Sequence, residues 1–353
     1  MSKFVFIYCC VLFTSLLQAG MPEKAVTPRA FSLKSRFDAS KDFYRGMDEF
    51  TNNKFEKAYN SFSKAAKAGN ISKEEKDVAL YNSGLSLERS KKYSAAVDIY
   101  NRIEGMDRDK YYRTSACCHE LKKWDCVLSG LKNWKNQSGS LSLVEEFEFR
   151  VRTGSAYLSL SDYKDSIQYL ETAVKAFVEK KHLLLTDAQN KEYTVDKINA
   201  LGLWALDDLA SAYRMIGENV KLPVNEEGTP EHTSYFLSLK NQVDLKAYYY
   251  LRSQDTYLQM LEQGDIYTAS KGLFMIGDLY QNAYKNFLNS GVPKKIKDQK
   301  LEKQYNDELK VSLRPLLEKA RIAHNKNLDL ARDHKTDNEW IKKSRTALTK
   351  IKD

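Results

Sequence analysis

Hydrophobic and polar positions in the first half of the chain recur in register. Phe55, Tyr93, Trp124 and Tyr163 each follow a short polar stretch. Nine residues before each of them stands a small side chain: Gly46, Gly84, Ser115 and Gly154. Three residues after come Ala58, Ala96, Val127 and Ser166, and seven after come the bulky Phe62, Tyr100, Leu131 and Leu170. Ala65, Ile103, Trp134 and Ala173 follow three further on. The spacing predicts a pair of antiparallel helices per unit, A and B, turning at the aromatic residue. The small residue on A and the alanines Ala58 and Ala96 on B let the helices approach closely. The large residue on B is expected to fill the gap beside the next unit's helix A. One pair cannot bury its apolar stripe alone, so pairs must stack.

This pattern resembles the tetratricopeptide repeat, whose period is about 34 residues. The glycine-position intervals here are 38, 31 and 39 residues, which loops between units would absorb. The third unit, Tyr111–Trp134, departs most from the pattern. The fold expected is all-α, a tetratricopeptide-repeat superhelix or α-solenoid, with four units over residues 39–176.

Residues 177–264 read as a degenerate helical repeat with a loop insertion. Leu201–Gly217 has helix A spacing, Lys221–Thr233 carries two prolines and reads as a loop, and Leu237–Leu261 is a long helix. Residues 265–353 read as an interrupted repeat. Residues 267–289 form a helix A with Gly277 at the small position and Tyr280 at the aromatic one. Its helix B is expected to begin after Pro315, over Leu316–Asp333, with Ala320 at the close contact and His324 at the large-residue position. The basic stretch Ser290–Arg314 between them, broken at Gly291-Val292-Pro293, reads as an insertion. A final helix over Asn338–Ile351 would cap the stack with a polar outer face.

The first twenty residues change the setting. Lys3 is followed by an uncharged apolar run, Phe4–Leu17, and then by Leu17-Gln18-Ala19, the layout of a secretory signal peptide cleaved after Ala19. The run is short of the roughly 20 residues that span a bilayer, and Leu17 leaves an uncleaved anchor open. Cys9 and Cys10 lie in a poor context for lipid attachment. Residues 20–38 read as a linker. The mature chain is expected to be exported, in a bacterial periplasm.

Composition agrees with helices and a sizeable core. Hydrophobic residues make up 42% and charged ones 29%, while Gly (15) and Pro (6) are too scarce for the tight turns of a sheet-rich fold. The formal charge is +9, and residues 294–353, with 17 Lys/Arg against 10 Asp/Glu, carry +7 of it. A solvated helix surface accounts for that excess; an anionic lipid or cell-wall polymer is the sharper reading. Nucleic acid is not expected, because the lysines alternate with acids and no nucleic-acid motif is present.

No motif in the sequence points to catalytic or cofactor chemistry. The chain has no phosphate-binding glycine loop, no H-E-x-x-H and no G-x-S-x-G. Cys117, Cys118, His119, Cys126 and His182 lack paired metal-ligand spacing, so no metal is assigned. Cys118 and Cys126 face the A–B turn of the third unit from opposite helices. They either form a disulfide in an oxidising compartment or join Cys117 as small buried apolar groups. Asp207-Asp208 are adjacent on a helix and read as a solvated face. The chain is therefore read as no enzyme and as needing no cofactor.

One segment carries a narrower resemblance. Residues 273–296, LFMIGDLYQNAYKNFLNSGVPKKI, with Gln304–Ala331 and Asn338–Leu348 beyond them, resemble the C-terminal region of exported repeat proteins of deltaproteobacteria and their predatory relatives. Some of those serve envelope-spanning assemblies, including gliding-motility machinery. The resemblance implies a periplasmic scaffold that binds other envelope proteins or peptides. By repeat register, Phe43, Met47, Tyr81, Arg89, Tyr112, His119 and Glu120 on the A helices are the candidate contacts of a concave groove; some of these rings can instead fill the core between repeats. Two alternatives stay open: a carbohydrate- or lipid-binding envelope protein using the basic end, and a regulator of cell-wall enzymes.

Overall fold

In the computed structural model, the described residues are 40–351 apart from 70, 190–192, 223–231 and 291–297. The expected signal peptide, linker, the centre of the two-proline loop and the Gly291-Val292-Pro293 break lie outside them. Thirteen α-helices and no strand occur among the described residues. None of these helices is long and apolar enough to cross a membrane.

Two compact units divide the described residues, the first formed within 40–160 and 182–198, the second within 161–181 and 199–351. The first unit contains α1 (Ser40–Thr51), α2 (Phe55–Ala65), α3 (Lys73–Arg89), α4 (Tyr93–Tyr100), α5 (Asp107–Glu120), α6 (Trp124–Gln137) and α7 (Leu143–Ser159). Each packs against the next in chain order. That succession is the A–B–A–B stacking expected of the repeats.

Local chemistry sets the helix ends. Ser72 and Glu75 form a reciprocal capping box at the start of α3, and at the start of α7 the Ser142 amide donates to the Glu145 carboxylate at 3.1 Å. The A–B turns share a device that composition hides. Asn53, Lys91, Lys122 and Ser161, each two residues before the aromatic of its repeat, take left-handed backbone angles with φ of 58°, 58°, 55° and 62°. In the first three turns the next amide donates to the carbonyl five residues back: Lys54 to Glu49 at 2.7 Å, Lys92 to Leu87 at 2.8 Å and Lys123 to Cys118 at 2.9 Å. This closes the orphan carbonyls at a helix C-terminus, a job usually given to glycine. Lys335 repeats the turn at the end of the twelfth helix, with φ of 50° and Thr336 donating to Ala331 at 3.0 Å.

The small residues lie at helix crossings. A Cβ built on Gly46 would meet Phe62 ring carbons at 2.8 Å, and one on Gly84 would overlap the ring of Tyr100. The large B residue therefore sits over the glycine of its own pair, not mainly against the next helix A. Ala58, Ala96, Phe62 and Tyr100 are fully buried. In the third pair the room is made from the other side: a Cβ on Gly130 of α6 would meet Ser115 of α5 at 2.9 Å. Gly154 is buried on α7.

The second unit holds the first part of α8 (Tyr163–Gln189), which leaves helical geometry at Lys180, with α9 (Val195–Asn219) from residue 199 onward, its first turn with Lys197 belonging to the first unit, and α10 (His232–Gln263), α11 (Ile266–Leu288), α12 (Gln299–Asp333) and α13 (Glu339–Leu348). The nesting recurs here. Gly202 of α9 lies beneath the ring of Phe177, and Gly277 of α11 lies beneath His324 of α12, with Ala320 fully buried nearby. The carbonyls at the end of α9 are closed by buried Lys246 of α10, whose ammonium donates to Gly217, Val220 and Glu218 oxygens at 2.7, 3.1 and 3.3 Å.

One expectation fails. Helix B of the last pair does not begin after Pro315: α12 starts at Gln299, capped by the Asp298 carboxylate, and runs through the proline. Most of the expected insertion, Ser290–Arg314, is thus helical. A proline removes one helix amide and crowds the carbonyl four residues back. Here that carbonyl belongs to Val311, which is 72% exposed, so water can satisfy it. The surrounding Lys, Glu, Gln and Leu residues favour helix strongly.

Candidate docking surface

The seven groove candidates occupy the A-type helices α1, α3 and α5, and the structure sorts them by exposure. The rings of Phe43, Tyr81 and Tyr112 are buried. Phe43 packs edge-on against Phe62 and Tyr112 against Trp134, and Tyr81 packs tilted against Tyr100. They fill the spaces between helices, because each faces the large ring of a B helix. Met47 is partly buried on the same core. Arg89 and Glu120 are exposed, and His119 is partly so.

The accessible residues gather at the C-terminal ends of A helices, beside the turn aromatics. The Arg89 guanidinium lies 5.4 Å from the centre of the Phe55 ring, and His119 meets Trp124 edge-on at 5.3 Å. Glu120 lies 3.6 Å from His119 Nδ1. Burial first, and then the charge of Arg152, bring the His119 pKa down to about 4, so its ring is neutral at pH 7. The edge thus offers a fixed cation, a fixed anion and a neutral ring, each steadied by an aromatic partner or neighbour.

Behind this edge runs a buried polar ladder that sequence reading missed. Glu148 of α7 has no exposure, yet it accepts hydrogen bonds from Tyr112 of α5 at 2.8 Å, from Arg152 one turn along at 2.8 Å, and from Lys197 of α9 at 3.0 Å. The Tyr193 hydroxyl donates to the same carboxylate. Burial pushes this carboxyl upward, but Lys197 and Arg152 outweigh it and, with the two hydroxyls, hold it well below the usual range. A second rung joins Tyr100 and Arg113 to Glu88, at 2.5 and 3.4 Å. Arg152 lies 5.3 Å from the Tyr112 ring centre and Lys197 4.1 Å from that of Tyr193, so the cations are covered by π faces as well as paired. The ladder fixes the lateral spacing of successive A helices. The sequence signal was the charged i, i+4 pair inside Phe147-Glu148-Phe149-Arg150-Val151-Arg152, where apolar residues flank charges too closely for a solvated face.

The structure joins Cys118 of α5 to Cys126 of α6 by a disulfide, with Cα atoms 5.8 Å apart, across the A–B turn of the third pair. Cys117 is buried and takes no part in it. Among the described residues no group of three or more His, Cys, Asp or Glu is placed to hold a metal ion. His324, expected as a packing residue, lies buried over Gly277.

The fold is all-α, a succession of packed helix pairs with the spacing expected of tetratricopeptide repeats. Neither a family model nor a curated protein matches the chain. Among solved structures it is similar to a TPR repeats protein from Bacteroides fragilis, at 13% identity and a TM-score of 0.29, covering 89% of this chain and 100% of that one. It is also similar to a tetratricopeptide repeat protein from Parabacteroides merdae, at 11% identity and a TM-score of 0.36, covering 80% of this chain and 98% of that one. Those scores add nothing to the helix pairing, which rests on the glycine–ring nesting described above.

Proposed function

We propose that the chain is a non-catalytic scaffold that holds partner proteins of the cell envelope in the periplasm. The observation that carries this reading is the rigid edge of the first unit, where Arg89, His119 and Glu120 are presented by helices spaced by the buried ladder. Pre-organised side chains of this kind bind with little ordering cost. Export is supported by the signal-like N-terminus and by the Cys118–Cys126 bridge, since such bonds persist in oxidising compartments. Service in an envelope or motility assembly rests on the sequence resemblance of the C-terminal third.

The test is a paired substitution, Arg89→Ala with Glu120→Ala, in the full chain. Both side chains are exposed, so helical circular dichroism should stay unchanged while affinity for the captured partner falls at least tenfold, about 1.4 kcal/mol. Unchanged affinity would remove this edge from the binding surface. If a basic C-terminal surface did the binding instead, affinity for anionic lipid or cell-wall polymer would fall steeply between low and physiological salt. A packed protein contact at the edge would resist that change.

A further inference from the structure

We propose that His324 is an acid-sensitive latch that holds α13 against the rest of the second unit. This goes beyond the docking role and does not depend on it. Helix α13 has 10 residues, of which Ile341 and Ser344 are buried. A helix that short does not persist alone in water, so it exists because it is docked. The polar side of its seat is a relay. The Asn327 amide donates to Ser344 Oγ at 2.9 Å, and also reaches the Ser270 and Trp340 carbonyls at 3.0 and 3.4 Å. Ser344 Oγ lies 3.2 Å from His324 Nδ1, and His324 Nε2 lies 3.3 Å from the Gln281 side-chain amide of α11.

A neutral ring satisfies this arrangement. The Gln281 amide nitrogen donates to Nε2, and Nδ1–H donates to Ser344 Oγ. A second proton makes Nε2 a donor facing the Gln281 amide hydrogens. Gln281 must then turn its amide away from them, and a full charge is left in a side chain with no exposure. The charged groups around the ring do little to receive it. Asp278 of α11 favours the charged form, but Arg214 of α9 already holds it at 2.8 Å. Lys343 and Arg345, which flank Ser344, are exposed and pair with Glu339 and Asp337 at 3.6 and 2.8 Å. On α12 itself Arg321 is held by Glu318 at 2.9 Å and Lys326 is exposed. Burial holds the ring below its ordinary value of 6.5. With the docked value depressed, docking strength is whole above about pH 6.5 and is lost as pH falls through the docked value. Acid therefore frees α13 and uncovers its seat on α11 and α12.

The repeat itself supplies the control. Phe62 occupies over Gly46 the place that His324 occupies over Gly277, so His324→Phe should fold and cannot titrate. Hydrogen exchange on the full chain at pH 7.5 and 4.5, corrected for intrinsic rates, reads the latch. Wild-type amides of α13 should lose protection at least tenfold at the lower pH, approaching tenfold per pH unit between 6.5 and the docked value and levelling off below it. Amides of α11 and the buried part of α12 should keep theirs, and His324→Phe should keep α13 protected at both pH values. In the wild type, the His324 ring resonance should titrate with the same midpoint as α13 release. No loss in the wild type, an equal loss in the variant, separate midpoints, or loss of α11, α12 and α13 together would each overturn the latch.

Discussion

Replacing Gly84 by alanine isolates the packing that holds a helix pair together. In an exposed helix this change stabilises by about 0.5–1 kcal/mol, because glycine loses more backbone freedom on folding. At Gly84 the added methyl would overlap the Tyr100 ring. The ring has little freedom to yield. It is fully buried, and its hydroxyl donates to Glu88 at 2.5 Å, which also pairs with Arg113. Overpacking costs about 1–3 kcal/mol, and losing a hydrogen bond to a buried charge adds about 1.5–3 kcal/mol if the ring is expelled. Propensity loses, and the net cost should be about 2 kcal/mol or more, equivalent to roughly 30-fold faster exchange through local opening. Hydrogen exchange of α3 and α4 amides measures it within the first unit. Gly69→Ala is the control, because a Cβ there meets nothing within 4 Å; it should be neutral or slightly stabilising. Adding Tyr100→Leu to Gly84→Ala should recover part of the loss, a coupling that independent sites would not show. If Gly84→Ala exchanges no faster than wild type, the nesting argument is wrong.

Other outcomes follow from the same geometry. Glu148→Gln strips the negative charge from Arg152 and Lys197 and should destabilise the first unit by about 3–5 kcal/mol in urea melts; a change under 1 kcal/mol would mean the ladder is not held by charge. With its folded pKa depressed from 4.5, Glu148 stabilises the unit above that value and loses the contribution as pH falls through the folded value. The His119 ring, at about 4, begins to act at higher pH: its share is whole above 6.5 and is lost as pH falls toward 4. Urea midpoints should therefore start to fall below about pH 6.5 and drop further below 4.5; a flat profile from pH 6.5 to 4.5 would refute the His119 assignment, and no further drop below 4.5 would refute that of Glu148. Cys118→Ser with Cys126→Ser opens a loop with a sequence separation of 8 and should cost about 2.5 kcal/mol, matched by reductant on the wild type and absent when reductant is added to the variant. Lys91→Gly relieves a left-handed backbone and should stabilise by about 1 kcal/mol, read as a higher thermal midpoint; a lower one would show that the lysine side chain matters more than its backbone.

The sequence made the helix pairs legible because their packing leaves few choices. A glycine under a ring is a steric demand, and it recurs at fixed spacing from Gly46–Phe62 to Gly84–Tyr100. The same logic extended to His324, placed over Gly277 by register alone. The ladder was harder to read, since Tyr193 and Lys197 reach Glu148 from 45 and 49 residues away, and charges on a helix usually mean solvent. The groove candidates were read one face too generously. Helix A positions in register include both accessible residues and rings clamped between helices, and only the fold separates Arg89 from Tyr81. Pro315 misled because its cost depends on whether water reaches one carbonyl, which the sequence does not encode.

The claim that this chain works by docking through the accessible edge of its first unit is tested most directly by photo-crosslinking in living cells. A photoreactive residue placed at Arg89 or Glu120 should yield one discrete envelope partner by mass spectrometry, while one at exposed Lys350 should not capture it. Capture of that partner from Lys350 alone, with neither edge position reacting, would contradict the account.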